Sequence, residues 1–72
     1  MAIPGFMRVH INGEMHDVPD GISLQSLLEK LQLPQQRVAV ELNAEVIRRS
    51  DWTERQISAD DKIEIVHFVG GG

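Results

Sequence analysis

Apolar residues recur along this chain with two different periods, and each change of period marks a new element. Met7, Val9 and Ile11 alternate with Arg8 and His10, the two-residue period of a strand with one buried face. Asn12-Gly13 follows, the strongest short signal for a two-residue hairpin. That turn sets Val9 opposite His16, Arg8 opposite Asp17 and Met7 opposite Val18. His16 and Val18 then share the core side, and Arg8 and Asp17 face each other outside. Pro19-Asp20-Gly21 ends the hairpin. The spacing next becomes helical: Leu24, Leu27, Leu28 and Leu31 fall on one face, while Gln25, Glu29 and Lys30 point away. Ser23 is the expected N-cap, Ile22 is placed to staple onto Leu27, and Pro34 closes the helix.

Alternation returns at Val38, Val40 and Leu42, a third strand. Asn43-Ala44 turns the chain into a short fourth strand, Glu45 to Ile47. Ser50-Asp51-Trp52 reads as the cap and start of a short helical turn, with Trp52, the only tryptophan, covering one end of the core. Ile57 anchors an irregular connection, and Ala59-Asp60-Asp61 leads into the last strand. That strand, Ile63 to Val69, is β-branched or aromatic at most positions. Two strands before a helix and several after it predict an α+β fold, a mixed sheet wrapped around one main helix, with the last strand parallel to the first. Residues 1–6 form an N-terminal extension broken by Pro4-Gly5, in which Phe6 is the residue expected to pack. Residues 7–69 form the domain, and residues 70–72 a flexible glycine tail.

Composition narrows what such a domain can do. At 72 residues it is one domain that buries only about 60% of its unfolded surface. It has no cysteine, hence neither a disulfide framework nor a thiolate metal site, which fits a reducing compartment. No stretch approaches the ~20 apolar residues of a membrane span. The net charge of −4 argues against nucleic acid and for a protein partner with a basic face. The free chain is expected to be a monomer.

Few side chains suggest chemistry. His10 and His16 fall on opposite faces of the hairpin, and no cysteine or carboxylate cluster joins them or His67, so no metal is expected. Asp60-Asp61 reads as a solvated turn pair, and Asn12-Gly13 as a turn, not a phosphate loop. No Ser/His/Asp set has a pocket to hold it. What stands out is the end of the chain, a firm strand running into Gly70-Gly71-Gly72. Either the glycines are an inert flexible end, or the terminal carboxylate is the working group on a side-chain-free arm. Glycine suits a narrow partner channel because it has no Cβ and reaches backbone angles closed to other residues. Just before the arm, Ile63 and Ile65 point inward, and Glu64, Val66 and Phe68 point outward. Val66 and Phe68 are then a docking patch, or the strand is covered on both faces, or Phe6 covers them.

These residues resemble a known family. Ile11-Asn12-Gly13-Glu14, Val18-Pro19 with Gly21, the Leu27-Leu28 helix, Val38-Ala39-Val40-Glu41 with Asn43, Arg49-Ser50 with Trp52, and the block from Asp61 to Gly72 are similar to the ThiS-type sulfur carrier proteins of thiamine biosynthesis. The resemblance covers Met7 to Gly72. It implies a ubiquitin-like β-grasp fold and a cytoplasmic protein that is not itself an enzyme. It implies that Gly72 is adenylated by an ATP-using E1-like adenylating enzyme, with Gly70 and Gly71 entering that partner's active site. The product is then converted to a thiocarboxylate with sulfur from a cysteine persulfide enzyme, and thiazole synthase receives that sulfur. The chain itself binds no cofactor; ATP belongs to the activating partner. Three departures stand out: Ala59-Asp60-Asp61 where the family often has Asp-Gly-Asp, Ser26 where a capping-box Glu is common, and three terminal glycines where two would suffice. The molybdopterin synthase small subunit also ends in Gly-Gly but commonly has prolines before it, where this chain has Phe68-Val69. The same residues also fit a tRNA-thiolation sulfur carrier, or a ubiquitin-like interaction module with an inert tail.

Overall fold

The hairpin forms as its turn chemistry dictates. In the computed structural model, which describes residues 3–68, β1 (Phe6–Ile11) and β2 (Glu14–Pro19) pair antiparallel in the expected register, including Val9 with His16 and Arg8 with Asp17. Asn12 and Gly13 both take positive φ, 51° and 84°, the left-handed pair that a type I′ turn demands. Val9, Ile11 and Val18 are buried, and Arg8 meets Asp17 at 3.7 Å on the exposed side. One expectation is corrected here. Phe6 belongs to the first strand, opposite Pro19, and stays largely exposed, so it pairs through its backbone and does not pack into the core.

The helix α1 (Leu24–Lys30) buries Leu24, Leu27 and Leu28 against the sheet. Ser23 Oγ accepts from the Ser26 amide at 3.1 Å, as a capping serine should. The other free amides of the first turn find partners in a distant segment. Leu24 N–H donates to the Arg55 carbonyl at 2.8 Å and Gln25 N–H to the Trp52 carbonyl at 3.0 Å. The helix ends before Pro34 can act. Gln32 takes φ 58°, its amide donates to the Glu29 carbonyl, and the Leu33 amide donates to the Leu28 carbonyl. This is a Schellman closure built without glycine. A short 3-10 turn at Gln35–Arg37, not foreseen from the sequence, leads into the next strand.

β3 (Val38–Leu42) buries its alternate residues, and β4 (Glu45–Ile47) folds back on it through Asn43 and Ala44, again both at positive φ. The following turn differs from expectation. It is a 3-10 turn at Arg49–Asp51 entered from Arg48, and Ser50 lies inside it rather than capping it. The cause is Trp52, 1% exposed, whose indole N–H donates to the Ile47 carbonyl at 3.0 Å. Holding a buried indole five residues from its acceptor requires the tight turn to start straight after Arg48. Ile57 is buried, as expected for an anchor, and its amide bonds the Ile22 carbonyl.

β5 (Lys62–His67) runs through the middle of the sheet, in the order β2-β1-β5-β3-β4. It pairs antiparallel with β3 over five residues and parallel with β1 at His10–Lys62 and Ile11–Ile63. The strand is shorter than predicted, ending at His67. A five-stranded mixed sheet packed on one helix, with first and last strands parallel neighbours, is the β-grasp arrangement. One core of fourteen buried apolar residues joins sheet, helix and the Trp52–Ile57 segment among the described residues.

Candidate functional site

The exit of β5 is held on both sides. On one side β3 carries the ladder onward: Ala39 pairs with Val66, Val38 with His67, and the Phe68 amide donates to the Arg37 carbonyl at 2.9 Å. On the other side β1 turns away after Ile11, and the Asn12 side chain takes over. Its Oδ1 accepts from the Ile65 amide at 2.7 Å, and its Nδ2 donates to the Ile65 carbonyl at 3.1 Å. A side-chain amide thus imitates one more residue of parallel strand. At the entry of β5, Asn43 does a related job. Its Oδ1 accepts from the Lys62 amide and its Nδ2 donates to Asp61, whose other oxygen accepts from the Ser58 amide. Asp61 is therefore a turn-builder, and Asp60 beside it sits at φ 68°, the left-handed position that Asp tolerates better than most residues.

Val66 and Phe68 stand on the outer face of the sheet, 57% and 42% exposed. Phe6 does not cover them. From the Ile11–Ile63 pair, Phe6 lies five residues back along β1 and Val66 three residues forward along β5, about 26 Å apart at strand rise. The same face carries an apolar neighbour that sequence reasoning missed. Val46, 67% exposed, lies in the row Val46–Glu41–Glu64, next to the row Ala39–Val66. Its position needs the β3–β4–β5 register, which the sequence of a three-residue strand does not declare. Gly70, Gly71 and Gly72 lie outside the described residues. His10 and His16 occupy adjacent, oppositely facing positions of the hairpin. Among the described residues no group of three or more His, Cys, Asp or Glu is placed to hold a metal ion, and no helix is long and apolar enough to cross a membrane.

The family model that matches this chain is that of the ThiS family, over residues 8–72. The chain belongs to the ThiS family. Within 66 aligned residues it is 42% identical to a thiazole synthase of Magnetococcus marinus, covering 92% of this chain but 20% of that protein. The chain thus spans about one fifth of that relative. It is 46% identical over 50 residues to the sulfur carrier protein ThiS of Bacillus subtilis, covering 69% of this chain and 76% of that one. The crystal structure of the thiamine biosynthesis protein ThiS from Geobacter metallireducens superposes with a TM-score of 0.81 at 32% identity, covering 92% of this chain and all of that one. The fold is therefore the ThiS fold, and the exposed face beside the end of β5 is set on a ThiS scaffold.

Proposed function

We propose that this chain is a sulfur carrier of thiamine biosynthesis whose reacting group is the carboxylate of Gly72. The observation that carries the reading is the family match, which runs through the final glycines. Support comes also from elimination: the described side chains form no metal cluster, and Asp61, from the paired aspartates, is committed to a turn. Chemistry then belongs to a group outside the side-chain inventory. A carboxylate is a poor acyl donor until activated. Its oxygen displaces pyrophosphate from ATP, held by an E1-like adenylating enzyme, to give the acyl-adenylate. A cysteine persulfide on a donor enzyme attacks the acyl carbon and expels AMP, and a thiol then cleaves the S–S bond to release the thiocarboxylate. Thiazole synthase takes that sulfur into the thiazole ring. Relatives named thiazole synthase in which a segment like this one makes up about a fifth of the chain fit this pairing of carrier and acceptor.

The protein is thus a co-substrate and not the enzyme. Gly70 and Gly71 pass through the partner's channel, and three extended residues reach about 10–11 Å. Val66 and Phe68 dock the body of the domain at the channel mouth. A variant with one alanine appended after Gly72 tests the assignment. It should fold as the parent does and resist thiolation by the activating enzyme, ATP and a persulfide donor. Thiolation of the untrimmed variant at the parent rate would show that Gly72 is not the reacting residue.

A further inference from the structure

Asn12 and Gly13 build the first hairpin turn, and together they also hold the two atoms of an intramolecular acyl transfer. The electrophile is the carboxamide carbon of Asn12, and the nucleophile is the backbone nitrogen of Gly13, the next residue. Gly13 is open to this role. Apart from its chain neighbours, nothing lies within 4 Å of where a Cβ would stand, and its amide donates to no backbone carbonyl among the described residues. Both residues are exposed, so water reaches the turn. The carboxamide, by contrast, is engaged. Its Oδ1 accepts from the Ile65 amide at 2.7 Å, and its Nδ2 donates to the Ile65 carbonyl at 3.1 Å. Asn43 sits in a turn of the same kind, both residues at positive φ, but the residue after it is Ala44, whose Cβ crowds an attacking nitrogen.

We propose that Asn12 is a deamidation site which its bonds to β5 keep closed, and whose reaction permanently loosens that strand. The reaction needs no partner and stands apart from the carrier reading. The Gly13 amide gives its proton to hydroxide, its nitrogen bonds to Cγ of Asn12, and the Cγ–Nδ2 bond breaks to release ammonia. A five-membered succinimide results. Water then opens the ring at either carbonyl and leaves an aspartyl or an isoaspartyl residue. In sum a water enters and an ammonia leaves, with no change of oxidation state. Closing the ring brings Cγ against the Gly13 nitrogen, which takes the carboxamide off Ile65. The two hydrogen bonds are therefore a gate, and ring closure waits for a local opening between Asn12 and β5. Refolding does not reverse the change. The aspartyl product still accepts from the Ile65 amide, but an oxygen replaces Nδ2 opposite the Ile65 carbonyl, so two acceptors meet with no proton between them. The isoaspartyl product adds an atom to the main chain of a two-residue turn and displaces the carboxylate, which strains the hairpin register as well as the clamp. Either way the loss falls on the β1 side of the exit of β5.

The experiment holds the full chain in mildly alkaline buffer, folded in one set and unfolded in strong urea in another, and follows deamidation by intact mass and fragmentation. Each event adds about 1 Da. In urea the increment should appear at Asn12 before Asn43. In the folded chain Asn12 should react about tenfold or more slowly than in urea. The deamidated fractions, separated by ion exchange, and the variant Asn12→Asp are then unfolded in urea with Trp52 fluorescence as the signal. All should unfold at lower urea than the parent, Asn12→Asp by about 0.5–1.5 M, and hydrogen exchange at the Ile65 amide should quicken. Equal rates at Asn12 in the folded and unfolded chain would overturn the proposal, because the clamp would not be a gate. So would an increment that appears first at Asn43, or none at Asn12 in urea. Midpoints of the deamidated fractions and of Asn12→Asp within about 0.3 M of the parent would overturn it too, because the product would then hold β5 as the amide does.

Discussion

Replacing Asn12 by glycine separates the side-chain clamp on β5 from the turn that presents it. Asn12 sits at φ 51°, where glycine is at least as comfortable, so the hairpin backbone should survive. What disappears is the pair of hydrogen bonds to Ile65, at 2.7 and 3.1 Å. Each bond is worth roughly 0.5–1.5 kcal/mol net, so the pair contributes about 1–3 kcal/mol. The added freedom of glycine in the unfolded chain costs about another 0.4–1 kcal/mol. Against a total stability of roughly 4–11 kcal/mol for a domain this size, the loss is large. Trp52, buried and the only tryptophan, supplies the fluorescence signal for urea unfolding. With a slope near 1 kcal/mol per molar, the midpoint should fall by about 1.4–4 M. Hydrogen exchange adds a local readout: protection of the Ile65 amide should drop more than that of Val40, which lies in the uninterrupted β3 ladder. A midpoint within about 0.3 M of the parent, with Ile65 protection unchanged, would refute the clamp and leave β5 held by β3 alone.

Three further outcomes are expected. Ala44→Gly should stabilise the domain by about 0.5–1 kcal/mol in the same urea assay, because alanine at φ 71° carries a left-handed strain that exceeds the entropy cost of glycine. Ser23→Ala should cost about 1 kcal/mol through loss of the helix cap, measured by thermal or urea unfolding. Phe68→Ala should cost under about 1 kcal/mol of stability, against about 3–5 for a buried phenylalanine, while weakening binding to the activating enzyme in a pull-down or titration.

What the sequence makes legible is whatever a single period or a local turn decides. Asn12-Gly13 fixes the hairpin register to the residue, because a two-residue turn leaves one register only. The leucine stripe places α1, and Ser23 caps it as its residue type requires. The outward parity of Val66 and Phe68 is likewise visible in the alternation of β5. What fails is what depends on distant partners. Ser50 looks like a cap, but the buried indole of Trp52 and its bond to the Ile47 carbonyl set the turn earlier. Phe6 looks like the packing residue of an extension, yet Pro19 across the hairpin makes it a strand residue. The second roles of Asn12 and Asn43 were hidden for the same reason. A turn asparagine announces its backbone, while its side-chain partner lies 53 residues away for Asn12 and 18 or 19 away for Asn43. Val46 and the opposed Glu41 and Glu64 emerge only once three strands are in register.

The central claim is that the Gly72 carboxylate is the group that carries sulfur. It is tested most directly by intact-mass analysis of the full chain after incubation with the cognate adenylating enzyme, ATP and a persulfide donor, followed by fragmentation to locate the change. Exchange of one oxygen for sulfur should raise the mass by about 16 Da, with the increment confined to the fragment that ends in Gly72 and dependent on ATP. An unchanged mass under conditions in which the enzyme is shown to be active, or an increment that maps to any residue other than Gly72, would contradict the account.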